Sequence, residues 1–375
     1  MVTVALPAYR QLMQTLDLAR RAQPLVHAGL ELEELCLGFD GLLREAVPYV
    51  VAAWSSLDPA SGLNTSCTMS GLAKDHAREA ELYRHEFLDG EPSSFLSLIG
   101  ERRTTAVLSE VTGGDLDQAS RYRHLLVGFG VTDELRTICW AGEVAWASIS
   151  IYRTEGRFTA ADADRVAALA PYVATGVRLT LLRAAATRPE AVDDPPGILE
   201  AHADGRVVAM TDAANSWLEV GGSAIVTATN VVAAAIRDRP DWRGASSRLR
   251  LPDGRLLSLN ASSTSTGDGT VAVIVDRART AQLGAMLVDA YGLTPRQRDV
   301  LSLLLLGRPM GQIASQLGIS EHTANDHRKA IYTCVGVSSR AELAARLHTE
   351  HYDAHRGQGT PPSPYGGFLR TPQPD

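Results

Sequence analysis

The chain has 375 residues, 45% of them apolar, 21% charged and 6% aromatic, and a net charge of −7. That length exceeds a single core and implies two or three domains, and the composition is neither disordered nor fibrous. Apolar stretches such as Ala46–Trp54 and Leu301–Leu306 are far shorter than the roughly 18–20 residues of a membrane span. The N-terminal MVTVALPAYRQLMQ lacks a basic region ahead of an apolar block, which points away from secretion, and four scattered cysteines without a CxxC fit thiols in a reducing cytoplasm.

Residues 1–45 read as helix, with leucines at 12, 16, 30 and 35 and a break expected at Pro24. From Val47 to Thr180 strand-like and helix-like segments alternate. Tyr49–Trp54 and Ala145–Tyr152 are the clearest strands, rich in β-formers and aromatics. Between them, Lys74–Phe87 reads as a charged helix, EPSSF as a helix entry and Asp115–His124 as a short helix. Phe158-Thr159-Ala160-Ala161-Asp162 then opens a long helix to about Ala186, with Thr159 as N-cap and Pro171 expected to kink or divide it.

Thr187–Gly197, with three prolines and three acids, has linker composition. A mixed segment follows: a strand from Ile198, a turn at Asp204-Gly205, a strand Arg206–Thr211 and a helix Asp212–Val220. Ser247–Leu251 and Arg255–Ala261 form a hairpin about Pro252-Asp253-Gly254, and Thr270–Asp276 is a last strand after Gly267-Asp268-Gly269. A connecting helix is expected over 279–290, and a disordered, Gly- and Pro-rich tail over 351–375.

Enzyme signatures are missing. Lys74 and Lys329 are the only lysines among 36 basic residues, and neither stands in a P-loop. There is no GxSxG, HExxH or dinucleotide-binding fingerprint, and no acidic pair with a downstream Lys suits a phosphate-accepting receiver. Cys67, His76 and His85 are the strongest candidate metal ligands, yet the two histidines lie nine apart, on opposite sides of a straight helix. Cys139-Trp140 could line a ligand wall. No catalytic residue, metal or cofactor is therefore expected.

Charge singles out the C-terminal end. Residues 291–348 carry +3, whereas residues 1–290 carry −9, so a basic module follows an acidic body. Thr294-Pro295 is an N-cap with Pro at the first helical position, and Val300, Leu301, Leu304 and Leu305 give the helix an apolar face. Gly307 ends it and Pro309 opens a second helix with Ile313, Ala314 and Leu317 inward. Gly318-Ile319-Ser320 is a tight turn into a third helix, and two short helices about such a turn form a helix-turn-helix. Taking Ile331 as inward, Ala324 and His327 fall beside it, while His322, Asp326, Lys329 and Thr333 face outward, with Asn325 at the edge. No i,i+4 salt-bridge ladder is expected on this outer face. Leu343, Ala344 and Leu347 stripe a fourth helix. A surface module meeting only water has the same periodicity.

Leu293-Thr294-Pro295-Arg296, Gly307, Ile313-Ala314, Leu317-Gly318-Ile319-Ser320, Thr323, His327, Ile331, Val335-Gly336-Val337 and Arg340-Ala341-Glu342-Leu343 resemble the LuxR-type helix-turn-helix over about 58 residues. The resemblance implies a four-helix DNA-binding domain acting on two half-sites as a dimer. On that reading Thr294, Arg296 and Ser320 are the candidates for phosphate contact, and His322, Thr323, Asn325, Asp326, Arg328 and Lys329 those in or beside the groove. Gln297, Ala324, Asn325, Cys334 and Gly311 depart from the family's usual residues. Asp326 repels phosphates, although a carboxylate can accept from a cytosine amino group.

More loosely, residues 198–278 resemble a PAS-like domain and residues 1–186, with their N-terminal helices, a GAF-like sensory domain. The expected fold is α+β multidomain: mixed α/β sensory domains (GAF-like, PAS-like), then an all-α four-helix LuxR-type helix-turn-helix at 291–350. The expected function is a cytoplasmic transcriptional regulator and not an enzyme. Its candidate partners are double-stranded DNA, a second copy of the chain, a small molecule in the sensory body and RNA polymerase, with no membrane. The alternative is a ligand-binding or protein-interaction adaptor whose DNA-binding module has reduced specificity.

Overall fold

A computed structural model of the chain describes residues 6–59, 61–72, 85–86, 91–186, 195–202, 207–222, 225, 228–229, 232, 244–251, 255–264, 270–278, 286 and 288–351. The chain divides into two units, 1–180 with 189–278, and 181–188 with 279–375. The charged helix expected over Lys74–Phe87, with His76, lies almost wholly outside the described residues. So do most of the Thr187–Gly197 linker, the turns at Asp204-Gly205, Pro252-Asp253-Gly254 and Gly267-Asp268-Gly269, most of the connecting helix and nearly all of the 351–375 tail. Among the described residues no helix is long and apolar enough to cross a membrane.

In the first unit, α1 (Leu6–His27) and α2 (Leu32–Ala46) precede β1 (Val51–Leu57) and β2 (Asn64–Ser70). After α3 (Phe95–Gly100) come β3 (Thr105–Val107), α4 (Leu108–Val111), α5 (Ser120–His124), β4 (Asp133–Ala141), β5 (Val144–Arg153) and α6 (Ala160–Ala186). The helix expected over Asp115–His124 is interrupted at Ala119, with a 3-10 turn at Leu116–Gln118 before α5. Neither proline ends its helix. Pro24 lies inside α1 and Pro171 inside the 27 residues of α6, because burial of Leu18, Ala22 and Val26, and of Val166, Leu169, Ala170 and Val173, outweighs the single hydrogen bond each ring removes. Thr159 caps α6 reciprocally with Asp162, Thr159 Oγ1 accepting from the Asp162 N–H at 3.2 Å.

These strands form one antiparallel sheet in the order β2-β1-β5-β4-β3. A helical layer covers the face carrying Trp54, which stacks on Phe39 of α2 at 6.5 Å. Asp40 of α2 accepts from Tyr49 Oη (2.8 Å), Trp54 Nε1 (3.1 Å), Ser70 Oγ (2.8 Å) and Arg44 Nε (2.7 Å), so its buried carboxylate is fully hydrogen-bonded.

A second antiparallel sheet repeats this order with its own five strands. They are β6 (Gly197–His202), β7 (Val207–Met210), β8 (Ala245–Arg250), β9 (Leu256–Ser263) and β10 (Thr270–Arg277), arranged β7-β6-β10-β9-β8 with α7 (Asp212–Gly221) after β7. Leu199, Leu257, Leu259, Val271, Val273 and Val275 fill one face against Ala214 and Trp217 of α7. The first unit is thus mixed α and β, with two sheets of the same topology.

The second unit ends in α8 (Pro295–Leu305), α9 (Met310–Leu317), α10 (Glu321–Val335) and α11 (Arg340–His351). Val300, Leu301, Leu304, Ile313, Ile331, Val335, Leu343 and Leu347 make one core of these four helices. Arg340 donates to the Leu304 carbonyl (Nε, 3.1 Å) at the end of α8, and Arg346 to that of Val335 (2.8 Å) at the end of α10. Both side chains satisfy carbonyls that a helix terminus leaves open.

Candidate nucleic-acid interface

The turn between α9 and α10 is set by three residues. Gly318 adopts the left-handed conformation (φ +65°), which costs a residue with a Cβ more than it costs glycine. The Ile319 N–H then reaches the Ala314 carbonyl at 3.0 Å, closing the end of α9. Ser320 caps α10 by accepting from the Thr323 N–H at 3.0 Å.

Ala324 and Ile331 of α10 are fully buried, and His327 is half-buried. His322, Thr323, Asp326, Lys329 and Thr333 are exposed, and Asn325 and Arg328 are half-buried. The outward face therefore has the composition expected from its periodicity, with one difference in its ion pairs. Asp326 lies 3.5 Å from His322 Nε2 and 3.7 Å from Lys329 Nζ, so i,i+4 and i,i+3 contacts occupy a face expected to lack a ladder. Exposed pairs of this kind are worth at most about 1 kcal/mol, and they can exchange for another partner.

The remaining candidates are more tightly held. Thr294 accepts from the Gln297 N–H (3.3 Å), and Gln297 Oε1 accepts from the Thr294 N–H (2.8 Å). This capping box shows that the Gln at 297, a departure from the family, still completes the cap. Arg296 donates to the Leu317 carbonyl at the end of α9 and lies 3.5 Å from Asp299, so its guanidinium joins α8 to α9. Asn325 Nδ2 turns back to the Glu321 carbonyl at 2.9 Å, and Arg328 lies over the Tyr332 ring at 5.8 Å.

In the first unit the candidate ligands stay apart. His85 is hydrogen-bonded to Ser120 Oγ at 3.1 Å and stacked on His124. Burial pushes the Cys36 thiol up to about 12 and that of Cys139 well above its ordinary range, with a further push from a neighbouring thiol in each case. Such thiols are unreactive. Trp140 packs with Phe95, Leu98 and Ile138. Among the described residues no cluster of His, Cys, Asp and Glu could hold a metal ion.

Sequence reasoning missed a buried charge cluster. Arg121 Nη2 donates to Glu134 Oε2 at 2.5 Å, and Arg136 donates to Glu134 Oε1 at 2.9 Å. Glu86 Oε2 lies 2.6 Å from Arg136 Nη1 and 3.5 Å from Arg121 Nη1, while Glu91 Oε2 lies 3.8 Å from Arg121 Nη1. All five residues are buried. Its only signal was Glu134 and Arg136 two apart in a strand, hence on one face.

The family described as bacterial regulatory proteins, luxR family (GerE), matches residues 292–347. The transcriptional regulatory protein MctR of Rhizobium johnstonii is 45% identical over 51 residues, 14% of this chain and 24% of its own length. The nitrate/nitrite response regulator NarL of Escherichia coli K12 is 40% identical over 62 residues, 16% of this chain and 29% of its own. The chain thus spans less than a third of the length of these curated relatives. A VqmA–ligand–DNA complex from Vibrio cholera aligns with 42% of this chain and 84% of its own at 18% identity and a TM-score of 0.22. A bacteriophytochrome of R. palustris aligns with 74% and 63% at 10% identity and 0.30. Likenesses that weak carry no weight for fold or function. The local match, the caps and the four-helix core agree: residues 292–347 are a LuxR-type helix-turn-helix domain.

Proposed function

We propose that the chain is a cytoplasmic, non-enzymatic transcriptional regulator that binds double-stranded DNA as a homodimer through α10. Residues 1–186 read as a GAF-like and 198–278 as a PAS-like sensory domain, supported by the shared strand order of the two sheets. A signal in this body shifts the population of dimers whose recognition helices are spaced for two half-sites, about one helical turn apart. RNA polymerase is the further partner such a regulator implies. The observation that carries the reading is the exposed His322, Thr323, Asp326, Lys329 face on a capped helix of a LuxR-type domain.

DNA selected by the full-length protein from a random pool tests it, with stoichiometry read by light scattering. Two chains per selected site are expected; a single chain on DNA, or no selection, removes the proposal. Lys329→Ala should weaken binding to all sequences alike and reduce the salt slope by about one. Unchanged affinity on every site would mean that the outward face is misassigned.

Asp326 decides between this reading and an adaptor of reduced specificity, which its carboxylate on the groove face favours. Its pairs with His322 and Lys329 must open for it to reach a base. Asp326→Ala is expected to relax discrimination at one base position by roughly 1–3 kcal/mol, as a lost cytosine contact does. Tighter binding to all singly mutated sites alike, with no position relaxed, would support the adaptor.

A further inference from the structure

The polar side chains of α10 are for the most part committed to the helix itself. Thr323 Oγ1 is hydrogen-bonded to Ser320 Oγ at 2.8 Å, Asn325 Nδ2 donates to the Glu321 carbonyl, and Thr333 Oγ1 donates to the Lys329 carbonyl at 3.1 Å. Arg328 is half-buried and turned over the Tyr332 ring. His322, Asp326 and Lys329 are left, their side chains 88%, 55% and 71% exposed. Among the described residues they have only one another, at 3.5 and 3.7 Å, beyond ordinary hydrogen-bonding distance.

The charge of this trio depends on one proton. Asp326 and Lys329 cancel, so with a neutral His322 the face offers a DNA groove no net positive charge, and with a protonated one it offers a single positive charge. An imidazole titrates near about 6.5, and small influences move it across neutral pH. Among the described residues, the charged groups on the helices packed against α10 are engaged elsewhere. α9 carries no titratable side chain. On α8, Arg296 is held by the Leu317 carbonyl and Asp299, and Arg298 lies 2.6 Å from Asp289. On α11, Arg340 and Arg346 donate to carbonyls and Glu342 accepts from Ser338. Within α10 itself, Glu321 and Arg328 project to the side and His327 inward.

DNA supplies what favours that proton. Phosphates flank a helix in the major groove and stabilise a cation there. A G·C pair presents in that groove two guanine acceptors, N7 and O6, beside the cytosine amino group. Adenine instead sets a donor beside its acceptor, and that donor repels a cation. His322 and Asp326 stand one turn apart on one face, about 6 Å along α10. A protonated imidazole and a carboxylate so placed offer a charge-assisted donor and an acceptor, which match guanine and cytosine respectively.

We infer that α10 reads a G·C pair through a protonated His322, which donates to guanine while Asp326 accepts from cytosine and Lys329 turns to a phosphate. One proton is taken from solvent per chain bound. This rests on the reading of α10 as the recognition helix, and it makes DNA affinity and specificity depend on pH. The complex holds the proton more tightly than the free protein, so affinity rises as pH falls through the bound pKa and levels off below the free one. A tenfold tighter hold on the proton gives a gain of about sixfold per chain between about pH 8 and pH 6.

The full-length protein and the DNA it selects from a random pool test this. Affinities are measured at about pH 6 and pH 8 and constant ionic strength, on the selected site and on sites with single pairs exchanged. Wild type should bind the selected site at least about sixfold more tightly at the lower pH, and exchanging one G·C pair for A·T should remove most of that gain. His322→Ala, at an exposed position where folding is not at stake, should bind equally at both pH values and no longer distinguish that pair. His322→Lys, permanently charged, should bind at both values about as wild type does at the lower one. His327→Gln, on the inward side of the helix, should keep the response. Equal wild-type affinity at the two pH values, a gain that survives His322→Ala or vanishes in His327→Gln, or a gain identical on every exchanged site would each overturn the inference. Failure to select any DNA removes the regulator reading and this one with it, while a selected site bound without a pH response removes only this one.

Discussion

Glu134→Gln should lower the stability of the first unit by about 3–5 kcal/mol, the usual cost of breaking a buried ion pair from one side. The carboxylate is fully buried and takes hydrogen bonds from both Arg121 and Arg136. Burial pushes its pKa up, but the fields of Arg121 and Arg136 and their hydrogen bonds outweigh it and hold it down at about 2. In the variant an amide nitrogen, a donor, must face one of two guanidinium donors. Among the described residues Arg136 keeps Glu86 at 2.6 Å, whereas Arg121 keeps contacts at 3.5 and 3.8 Å. The substitution also relieves repulsion from Glu86 and Glu91, yet interactions at 2.5–2.9 Å outweigh that more diffuse term.

The pH dependence carries the signature. A carboxyl whose folded pKa is depressed stabilises above its unfolded value, near 4.3, and loses that contribution as pH falls through the folded value. The gap between wild type and Glu134→Gln in urea unfolding should therefore be complete at about pH 7. It should narrow by about half near pH 3 and nearly close by pH 2. A gap that stays constant with pH would show that the variant acts through packing and not through charge.

What the sequence disclosed follows the range of the interactions involved. Thr294-Pro295, Gly318 and Ser320 act within one helical turn, so caps, turn and outward face of the helix-turn-helix were readable residue by residue. Strand cores such as Ala145–Tyr152 were readable for the same reason. Pro24 and Pro171 misled because their helices are held by burial against distant elements, which overrides a local breaker. The charge cluster assembles from residues 86, 91, 121, 134 and 136, which come from before β3, from between β3 and β4, and from β4 itself. Beyond the strand alternation that joins Glu134 and Arg136, no spacing rule links them. The His322–Asp326–Lys329 contacts were within reach of such a rule, since they lie at i,i+4 and i,i+3 on one helix face.

Arg248→Ala should cost a further case of about 3–5 kcal/mol, for a related reason in a different place. Arg248 of β8, in the second sheet, forks onto Asp58, which follows β1 of the first. Its Nε donates to Oδ2 at 2.9 Å and its Nη2 to Oδ1 at 2.8 Å. Both side chains are nearly inaccessible, at 4% and 2%. Two parallel, charge-assisted bonds are the strongest arrangement open to this pair of groups, and removing the guanidinium leaves a carboxylate out of water. Asp58 cannot simply turn away, because its backbone is committed: its N–H donates to the Leu63 carbonyl and its own carbonyl accepts from the Gly62 N–H, both at 2.8 Å. The cost therefore belongs mostly to a buried carboxylate deprived of its guanidinium and not to the lost attraction. That distinction is measurable. Arg248→Met combined with Asp58→Leu replaces the pair by apolar groups of similar length and should recover most of the stability lost in either single variant. If urea unfolding finds the double variant as unstable as the two single costs added together, the pair is not the reason, and the guanidinium matters through its other contacts.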